Sequence, residues 1–232
     1  MGTAATPRGD ETVVQEPAWW RDLVWIGFPL LGAAAGWLLR SLAGWVASLP
    51  WVPFQGPFRL VASVSEQATA GPPVLGAAAG LVLAYLTLQD WLTVTVADDR
   101  VTMARGGSAR GVERASVSAV FLDGKQLVLL GPATEELARE TSDLEADALS
   151  AAFLAHRYPW RADGDPFKAA YRRWVEDEPE LPASANALLK ARARALDKGD
   201  GDDAAELRTE LARLGVVVRE ERKRQYWRST GR

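Results

Sequence analysis

The sequence predicts an α+β membrane protein: a two-helix transmembrane hairpin, a small antiparallel β domain with a closing helix, and a small C-terminal helical hairpin domain with a short strand. Three observations predict this fold class. Two long apolar stretches carry almost no charge, apolar and polar residues alternate with a period of two after Asp90, and helical spacing returns after residue 181. The mean hydropathy of -0.09 indicates a membrane-anchored soluble protein rather than a polytopic transporter.

The N-terminal third contains a tail and the predicted hairpin. Residues 1–20 contain prolines and glycines and no apolar period, so we expect a disordered tail. The hairpin is predicted over 21–90, where Leu23–Leu42 contains one charged residue, Arg40, and Gly71–Gln89 contains none. A bilayer core of roughly 30 Å requires about 20 helical residues, so both stretches are long enough to cross it. The alternative is a pair of buried helices in a soluble all-helical domain.

The two apolar stretches share the hexapeptide Leu-Gly-Ala-Ala-Ala-Gly, which begins at Leu31 and again at Leu75. On a helix, glycines four residues apart lie on one face and allow a second backbone to approach closely. The pattern leaves open whether these faces meet within one chain or between the chains of a homo-oligomer. The predicted helix-packing residues are Gly32, Gly36, Gly76 and Gly80.

Basic residues favour one orientation of the hairpin in the cell membrane. Five arginines lie near its outer ends, and two lie in or beside the segment that connects the spans. The positive-inside rule therefore places both termini in the cytoplasm. The absence of cysteine excludes disulfides and thiolate metal sites and suits a reducing compartment. The outer arginines are Arg8, Arg21, Arg100, Arg105 and Arg110, and the other two are Arg40 and Arg59.

A small α+β domain is predicted over 91–160. Its first strands alternate apolar and polar residues, and Asp123-Gly124, between two further apolar runs, suits the tight turn of a β-hairpin. A helix with apolar residues on one face then ends near His156. Residues 161–180 are rich in aspartate, glycine and proline, and we expect a linker around a short helix at 167–175.

Residues 181–232 form the basic end of the chain, with 12 basic and 8 acidic side chains. Helical spacing predicts helices over 183–197 and 204–214, followed by a short strand at 216–218 and a basic tail. Cations and aromatic rings can bind phosphates and stack on bases, but a solvated basic surface near anionic lipid or a protein partner is the alternative. The candidate residues for a nucleic acid or other anionic partner are Lys190, Arg194, Arg222, Lys223, Arg224, Tyr226, Trp227 and Arg228.

No residue set predicts catalysis, a cofactor or a metal site. His156 is the only histidine, and a histidine at a helix end is usually a cap or a solvated side chain. The aspartates between 197 and 203 lack the spacing of a calcium loop and are explained by helix capping. Gly106-Gly107 follows a strand and leads to no helix, so it predicts a hairpin turn rather than a phosphate loop.

Three segments resemble the YqeB family, bacterial membrane proteins of unassigned function that are common in actinobacteria. They are the run Leu-Pro-Trp-Val-Pro-Phe-Gln-Gly-Pro-Phe that ends at Phe58, the segment Phe121–Leu130, and Tyr158-Pro-Trp-Arg161. The resemblance covers most of the chain after the tail. It implies two membrane helices, a bacterial pleckstrin-homology-like (PH-like) domain over 91–160, and a final small domain.

That final domain, at 181–232, is similar to the C-terminal domain of cysteinyl-tRNA synthetases, which packs against the anticodon end of the tRNA. The sequence departs from that domain at Ala205, where an aspartate is usual, and at Glu220-Glu221, where an Asp-Thr pair is usual. The matching positions are Leu188, Arg192, Leu207, Arg208, Leu211, Gly215, Trp227 and Arg228.

Two functional hypotheses follow from the sequence. The first is a non-enzymatic, membrane-anchored interaction protein that faces the cytoplasm and recruits a protein partner through its basic C-terminal domain. The alternative is a membrane-tethered RNA-binding or tRNA-binding protein that uses the same domain. Membrane lipid is the predicted environment of the hairpin in both hypotheses.

Overall fold

The computed structural model describes residues 3–8, 10–47, 71–222 and 224–231. The predicted connection between the two spans lies outside these residues, as does Lys223. The elements in chain order are β1 (Ala4–Arg8), β2 (Glu11–Gln15), α1 (Ala18–Ala47), α2 (Gly71–Gln89), β3 (Thr93–Ala97), β4 (Arg100–Arg105), β5 (Ser108–Glu113), β6 (Ala119–Asp123), β7 (Gln126–Leu130), β8 (Glu136–Thr141), α3 (Ala146–Ala155), β9 (Trp160–Arg161), β10 (Arg172–Arg173), α4 (Ala183–Lys198), α5 (Gly201–Arg213), β11 (Val216–Glu221) and β12 (Arg224–Ser229).

The chain divides into two compact units. The first contains Gln15–Thr93 and Ala104–Ala109, and therefore both apolar helices. The second contains Val94–Met103 and Arg110–Arg232 together with Ala5–Val14. The predicted α+β fold class is confirmed, because two apolar helices, antiparallel sheets and C-terminal helices with strands are all present.

The predicted disordered tail over 1–20 is wrong for its described residues, which form β1, β2 and the start of α1. A five-stranded sheet has the order β1-β2-β3-β4-β5, and β2 pairs antiparallel with β3 from Glu11 opposite Ala97 to Val14 opposite Val94. Val14 is fully buried, as Val94 is. A segment with so few apolar residues shows no period of its own, and it becomes a strand because the exposed edge of β3 supplies its hydrogen-bond partners.

A second sheet, of four strands, has the order β8-β7-β6-β9. The β6–β7 hairpin turns at the predicted dipeptide: Asp123 pairs with Gln126, and Gly124 adopts a φ of 62°, which suits glycine. Helix α3 contacts β9, and its Phe153 stacks on Trp160 with ring centroids 5.8 Å apart. The strand alternation and the helix predicted for 91–160 are therefore present.

The predicted linker over 161–180 is also wrong. Trp160–Arg161 forms β9, which pairs in parallel with β6, and Arg172–Arg173 forms β10, which pairs with β12. The short helix expected at 167–175 is reduced to a single 3₁₀ turn at Lys168–Ala170. Both strands are two residues long and depend on partners distant in the sequence, so the local pattern does not reveal them.

The C-terminal region packs two helices on a three-stranded sheet of order β10-β12-β11. Gly199, with a left-handed φ of 76°, caps the C-terminus of α4. Asp200 caps the N-terminus of α5, and its carboxylate accepts a hydrogen bond from the Asp203 amide at 3.1 Å. The expected basic tail is instead a hairpin, because β11 continues to Glu221 and β12 follows. The core contains Leu181, Ala185, Leu189, Leu211, Val216, Val218 and Trp227.

Candidate functional site

The two apolar helices pack through their glycines. A Cβ atom built on Gly32 would collide with the carbonyl oxygen of Gly76, and one built on Gly76 would collide with that of Gly32. Gly36 meets the Pro72 carbonyl in the same way, and Gly80 meets the Phe28 carbonyl. The structure thus brings the four predicted helix-packing residues together within one chain, where each glycine face is occupied by the other helix.

The outer surface of this helical pair is apolar and uncovered by the described residues. Leu31 is 70% exposed and Leu75 is 73% exposed. Ala18–Leu42 and Gly71–Gln89 are long and apolar enough to cross a membrane by length and composition, and 11% of each span is buried. A core helix of a soluble domain buries most of its apolar surface, whereas these helices bury mainly the glycine faces.

Two predicted anion-binding residues belong to the interior instead. Trp227 is 2% exposed in the C-terminal core, and the guanidinium of Arg172 lies 4.8 Å from its ring centroid. Arg228 is 3% exposed and donates to the carbonyl oxygen of Thr134 at 2.7 Å. Neither side chain is available to a base or a phosphate, because Trp227 and Arg228 are both buried although, as neighbours on β12, they point to opposite faces of the sheet.

The other predicted binding residues lie on the surface but do not form one basic patch. Lys190 forms an ion pair with Glu176, and Arg194 is exposed on the same helix. Arg222 and Arg224 lie exposed at the turn between β11 and β12, where Arg224 pairs across the hairpin with Glu221. Tyr226 is half-buried on β12, and Lys223 lies outside the described residues. Glu220 and Glu221 therefore lie next to the basic residues of this turn.

A buried arginine on α4 was not selected as a site residue by the sequence analysis. Arg192 is 1% exposed, and it donates to the Gln225 side-chain oxygen at 2.7 Å and to the Ala204 carbonyl at 3.2 Å. Burial, with a further contribution from the Arg208 cation, lowers the pKa of Arg192 to about 10. The signal was its helical spacing, because Arg192 lies on the same face as the core residues Ala185 and Leu189.

A second buried cation, Arg139, lies on β8. Its guanidinium lies 2.6 Å from a Glu136 oxygen and 3.1 Å from an Asp123 oxygen. Burial alone would lower the pKa of Arg139, but these two carboxylates outweigh that effect and raise it. This arginine is therefore a fixed charge inside the protein rather than a surface group.

His156 links α3 to β2 and to the turn after β3. Its Nδ1 atom lies 2.7 Å from an Asp98 carboxylate oxygen in the turn after β3, and its Nε2 atom lies 2.9 Å from the Thr12 hydroxyl on β2. His156 is also the C-terminal cap of α3, as the sequence suggested. The contacts give this histidine a structural role, which the sequence could not reveal because Thr12 and Asp98 are far from it along the chain.

Comparison with known proteins agrees with these observations. Residues 12–161 match the family described as YqeB-like bacterial PH domain, so the match begins in β2 and includes both apolar helices. Residues 178–228 match the family described as cysteinyl-tRNA ligase anticodon binding domain. No solved structure is a significant match to the chain.

A relative from Bacillus subtilis (strain 168), described as "Uncharacterized protein YqeB", is 42% identical over 200 residues. The aligned region covers 86% of this chain and 83% of the relative. The resemblance inferred from the three sequence segments is confirmed by this match and by the family match over 12–161. The chain belongs to the YqeB family.

Proposed function

We propose that this protein is a non-enzymatic anchor whose two apolar helices cross the cell membrane and hold the PH-like and C-terminal regions at the cytoplasmic surface, where they recruit a partner. The observation that carries the proposal is the exposed apolar surface around the glycine-packed helices, where Leu31 and Leu75 are among the most exposed large side chains. Soluble monomers rarely expose a large contiguous apolar surface, whereas the hydrocarbon core of a bilayer favours one.

Two hydroxyl groups on the apolar helices form hydrogen bonds within their own helix, as expected in an apolar solvent. The Ser41 hydroxyl donates to the Trp37 carbonyl at 3.0 Å, and the Thr87 hydroxyl donates to the Leu83 carbonyl at 2.8 Å. Each hydroxyl is therefore satisfied within its own helix, as a lipid environment requires.

The connectivity supports a location of the residues before and after the hairpin on the same side of the membrane. The hairpin is inserted between β2 and β3, which pair with each other, and only a few residues join Gln15 to Ala18 and Gln89 to Thr93. Both outer ends of the hairpin are thus tied to neighbouring strands of one sheet. Together with the arginines near those ends, this supports a cytoplasmic location for both termini.

Membrane integration is tested by sedimenting the lysate of cells that express the full chain and extracting the pellet with alkaline carbonate. We expect the chain to remain in the pellet and to require detergent for solubilisation. A chain that stays in the supernatant, monodisperse without detergent, would contradict the anchor.

Orientation is tested by adding single cysteines to this cysteine-free chain. Gln55→Cys lies in the segment between the helices, and Thr209→Cys lies on the exposed surface of α5. We expect a membrane-impermeant maleimide to label Gln55→Cys in intact spheroplasts and Thr209→Cys only after lysis. The reverse pattern would contradict the proposed orientation, and labelling of both only after lysis would contradict the spanning hairpin.

RNA binding by the C-terminal region is a second candidate function, favoured by the match of 178–228 to an anticodon binding domain. The burial of Trp227 and Arg228 leaves five described candidates that could contact RNA: Lys190, Arg194, Arg222, Arg224 and Tyr226. It predicts RNA that copurifies with the detergent-solubilised chain and is released as salt rises.

The test replaces Arg222, Lys223 and Arg224 together by alanine. The control replaces three exposed arginines outside this region, Arg100, Arg110 and Arg161, and therefore removes the same charge. Loss of RNA from the first variant alone supports RNA binding. Equal retention by both variants, or no RNA with the wild-type chain, leaves the protein-recruiting anchor as the function.

A further inference from the structure

A groove lies at the end of the apolar hairpin where α1 begins and α2 ends. It has a volume of about 410 Å³ and is open to solvent along one side. Arg21 and Trp25 of α1 and Tyr85 of α2 line it, as do Trp91 and Arg105, and it is bounded by the turn between β4 and β5. All of these residues belong to the same compact unit.

The groove has a positive charge. It is lined by the guanidinium groups of Arg21 and Arg105, and none of its described lining residues is acidic. Arg105 donates a hydrogen bond to the Asp90 carbonyl, which fixes its guanidinium at the end of α2. Arg21 is exposed and makes no hydrogen bond or ion pair to the described residues. An adjoining recess of about 170 Å³ beyond Arg21 contains one carboxylate, Glu16.

Charged and aromatic groups are ordered along the helix axis. Trp25 lies one helical turn after Arg21, and Tyr85 lies one turn before Gln89, so both rings lie deeper along the apolar helices than the cations. Trp25 and Tyr85 are exposed in the groove. A glycerophospholipid has the same order, with a phosphate in the interface and acyl chains below it, and Trp and Tyr favour the boundary between them.

The turn at the mouth of the groove contributes backbone rather than side chains. Gly106 and Gly107 have φ values of 58° and 80°, and a Cβ atom built on Gly107 would meet nothing within 4 Å. A headgroup can therefore approach the main chain here without meeting a side chain.

We infer that this groove binds the phosphate headgroup of an anionic glycerophospholipid, with Arg21 and Arg105 on the phosphate and with Trp25 and Tyr85 against the glycerol and upper acyl region. The inference rests on the proposed membrane location of the hairpin. Two arginines at an anionic interface are sufficient for a preference of about tenfold or more over a zwitterionic lipid.

The test uses the full chain purified in mild detergent and titrated with phosphatidylglycerol or phosphatidylcholine, with bound lipid counted by native mass spectrometry. We expect phosphatidylglycerol to bind about tenfold or more tightly than phosphatidylcholine. Inorganic phosphate at millimolar concentration should not displace it. Displacement by phosphate would overturn the lipid assignment, because a simple anion site would then explain the binding.

Arg21→Gln combined with Arg105→Gln should abolish the preference for phosphatidylglycerol. Arg100→Gln combined with Arg110→Gln, outside the groove, should retain it. Because Arg105 also bonds to the Asp90 carbonyl, Arg21→Gln alone and Arg105→Lys are included. Arg21→Gln should keep the thermal midpoint and reduce the preference, whereas Arg105→Lys, which keeps the charge, should retain both. An unchanged preference in Arg21→Gln and in the double variant would overturn the inference.

Different results would contradict the membrane anchor and the headgroup site. A chain that resists carbonate extraction but shows no preference between the lipids leaves the anchor intact and removes only the headgroup site. A chain that is soluble without detergent removes both.

Discussion

The guanidinium group of Arg228 on β12 donates hydrogen bonds to both the carbonyl oxygen and the hydroxyl of Thr134, at 2.7 and 3.0 Å. The Gly231 amide donates to the same hydroxyl at 3.0 Å. Thr134 lies between β7 and β8 and has a φ of 64°, which is unusual for a β-branched residue. These bonds tie β12 to the loop between β7 and β8, so residues 110–161 of the first family match and the whole of the second match, 178–228, lie in one compact unit.

Arg228→Ala should therefore lower the free energy of unfolding by about 2 kcal/mol, because it removes a buried guanidinium group and leaves the half-buried Thr134 carbonyl without its charged donor. Thermal or denaturant unfolding of the full chain in detergent, followed by near-UV circular dichroism, measures the change. Arg224→Ala is the matched control, since Arg224 is exposed on the same strand and should cost less than about 0.5 kcal/mol. Equal effects of the two substitutions would contradict the structural role of Arg228.

Gly32→Ala and Gly76→Ala should each destabilise the helical pair by about 1–3 kcal/mol, because the new methyl group meets a backbone carbonyl that cannot move aside easily. Gly27→Ala in the same helix is the control, since a Cβ atom there meets nothing within 4 Å. Titration with sodium dodecyl sulfate in mixed micelles, monitored by tryptophan fluorescence, measures helix separation. A Gly27→Ala midpoint as low as that of Gly32→Ala would disprove close packing at the glycines.

His156→Phe should reduce the protection of β2 from hydrogen exchange. The substitution removes the contacts to Asp98 and Thr12, and a side chain–side chain hydrogen bond contributes about 1 kcal/mol, or more with a charged partner. We expect faster exchange of the amides in Glu11–Gln15, measured by mass spectrometry of peptides from the intact chain. Exchange in β11 serves as the internal reference and should not change. If β2 and β11 change equally, the effect is global and His156 does not specifically hold β2.

Two tyrosines, the buried Tyr158 and the half-buried Tyr171, should respond differently to the loss of their hydroxyl groups. Burial raises the pKa of Tyr158 to about 12, and its hydroxyl donates to the Ala97 carbonyl at 2.9 Å. Burial and the Glu136 carboxylate raise the pKa of Tyr171 to about 12, and the nearby Arg228 cation only partly opposes this. The Tyr171 hydroxyl makes no hydrogen bond of ordinary geometry to the described residues. At pH 7, Tyr158→Phe should cost about 1 kcal/mol and Tyr171→Phe should cost almost nothing.

The same residues predict an alkaline loss of stability. The unfolded chain releases a tyrosine proton near pH 10, whereas folded Tyr171 holds it to about pH 12. The folded state binds more protons in this window, so the free energy of unfolding falls as the pH rises from about 10 to about 12. Tyr171→Phe should make this fall shallower in denaturant titrations. An unchanged slope would show that Tyr171 ionises equally in both states.

The sequence predicted the elements whose patterns are local. The predicted second span coincides with Gly71–Gln89, the first span lies within Ala18–Ala47, and the hairpin at Asp123-Gly124 is present. Strand β2 was missed because it has few apolar residues, and β10 was missed because it is two residues long. Each takes its hydrogen bonds from a partner distant in the sequence.

The candidate binding surface was predicted less well than the fold. The local sequence around Trp227 and Arg228 does not distinguish a solvated basic tail from a strand in which both side chains are buried. Only the pairing of Trp227 with Val218 and Arg172 decides between them. Arg192 lies on the same helical face as Ala185 and Leu189, so its spacing alone predicts that it is buried.

The pairing of Val14 with Val94 has a consequence for biosynthesis. A ribosome completes β2 early, but its partner β3 emerges only after both apolar helices have been made, so the first sheet cannot close until the hairpin has been synthesised and, as we propose, inserted into the membrane. Insertion of the hairpin would then precede the pairing of β2 with β3. A nascent chain that fails to insert would leave the edge of β2 unpaired, where proteases and chaperones can bind it.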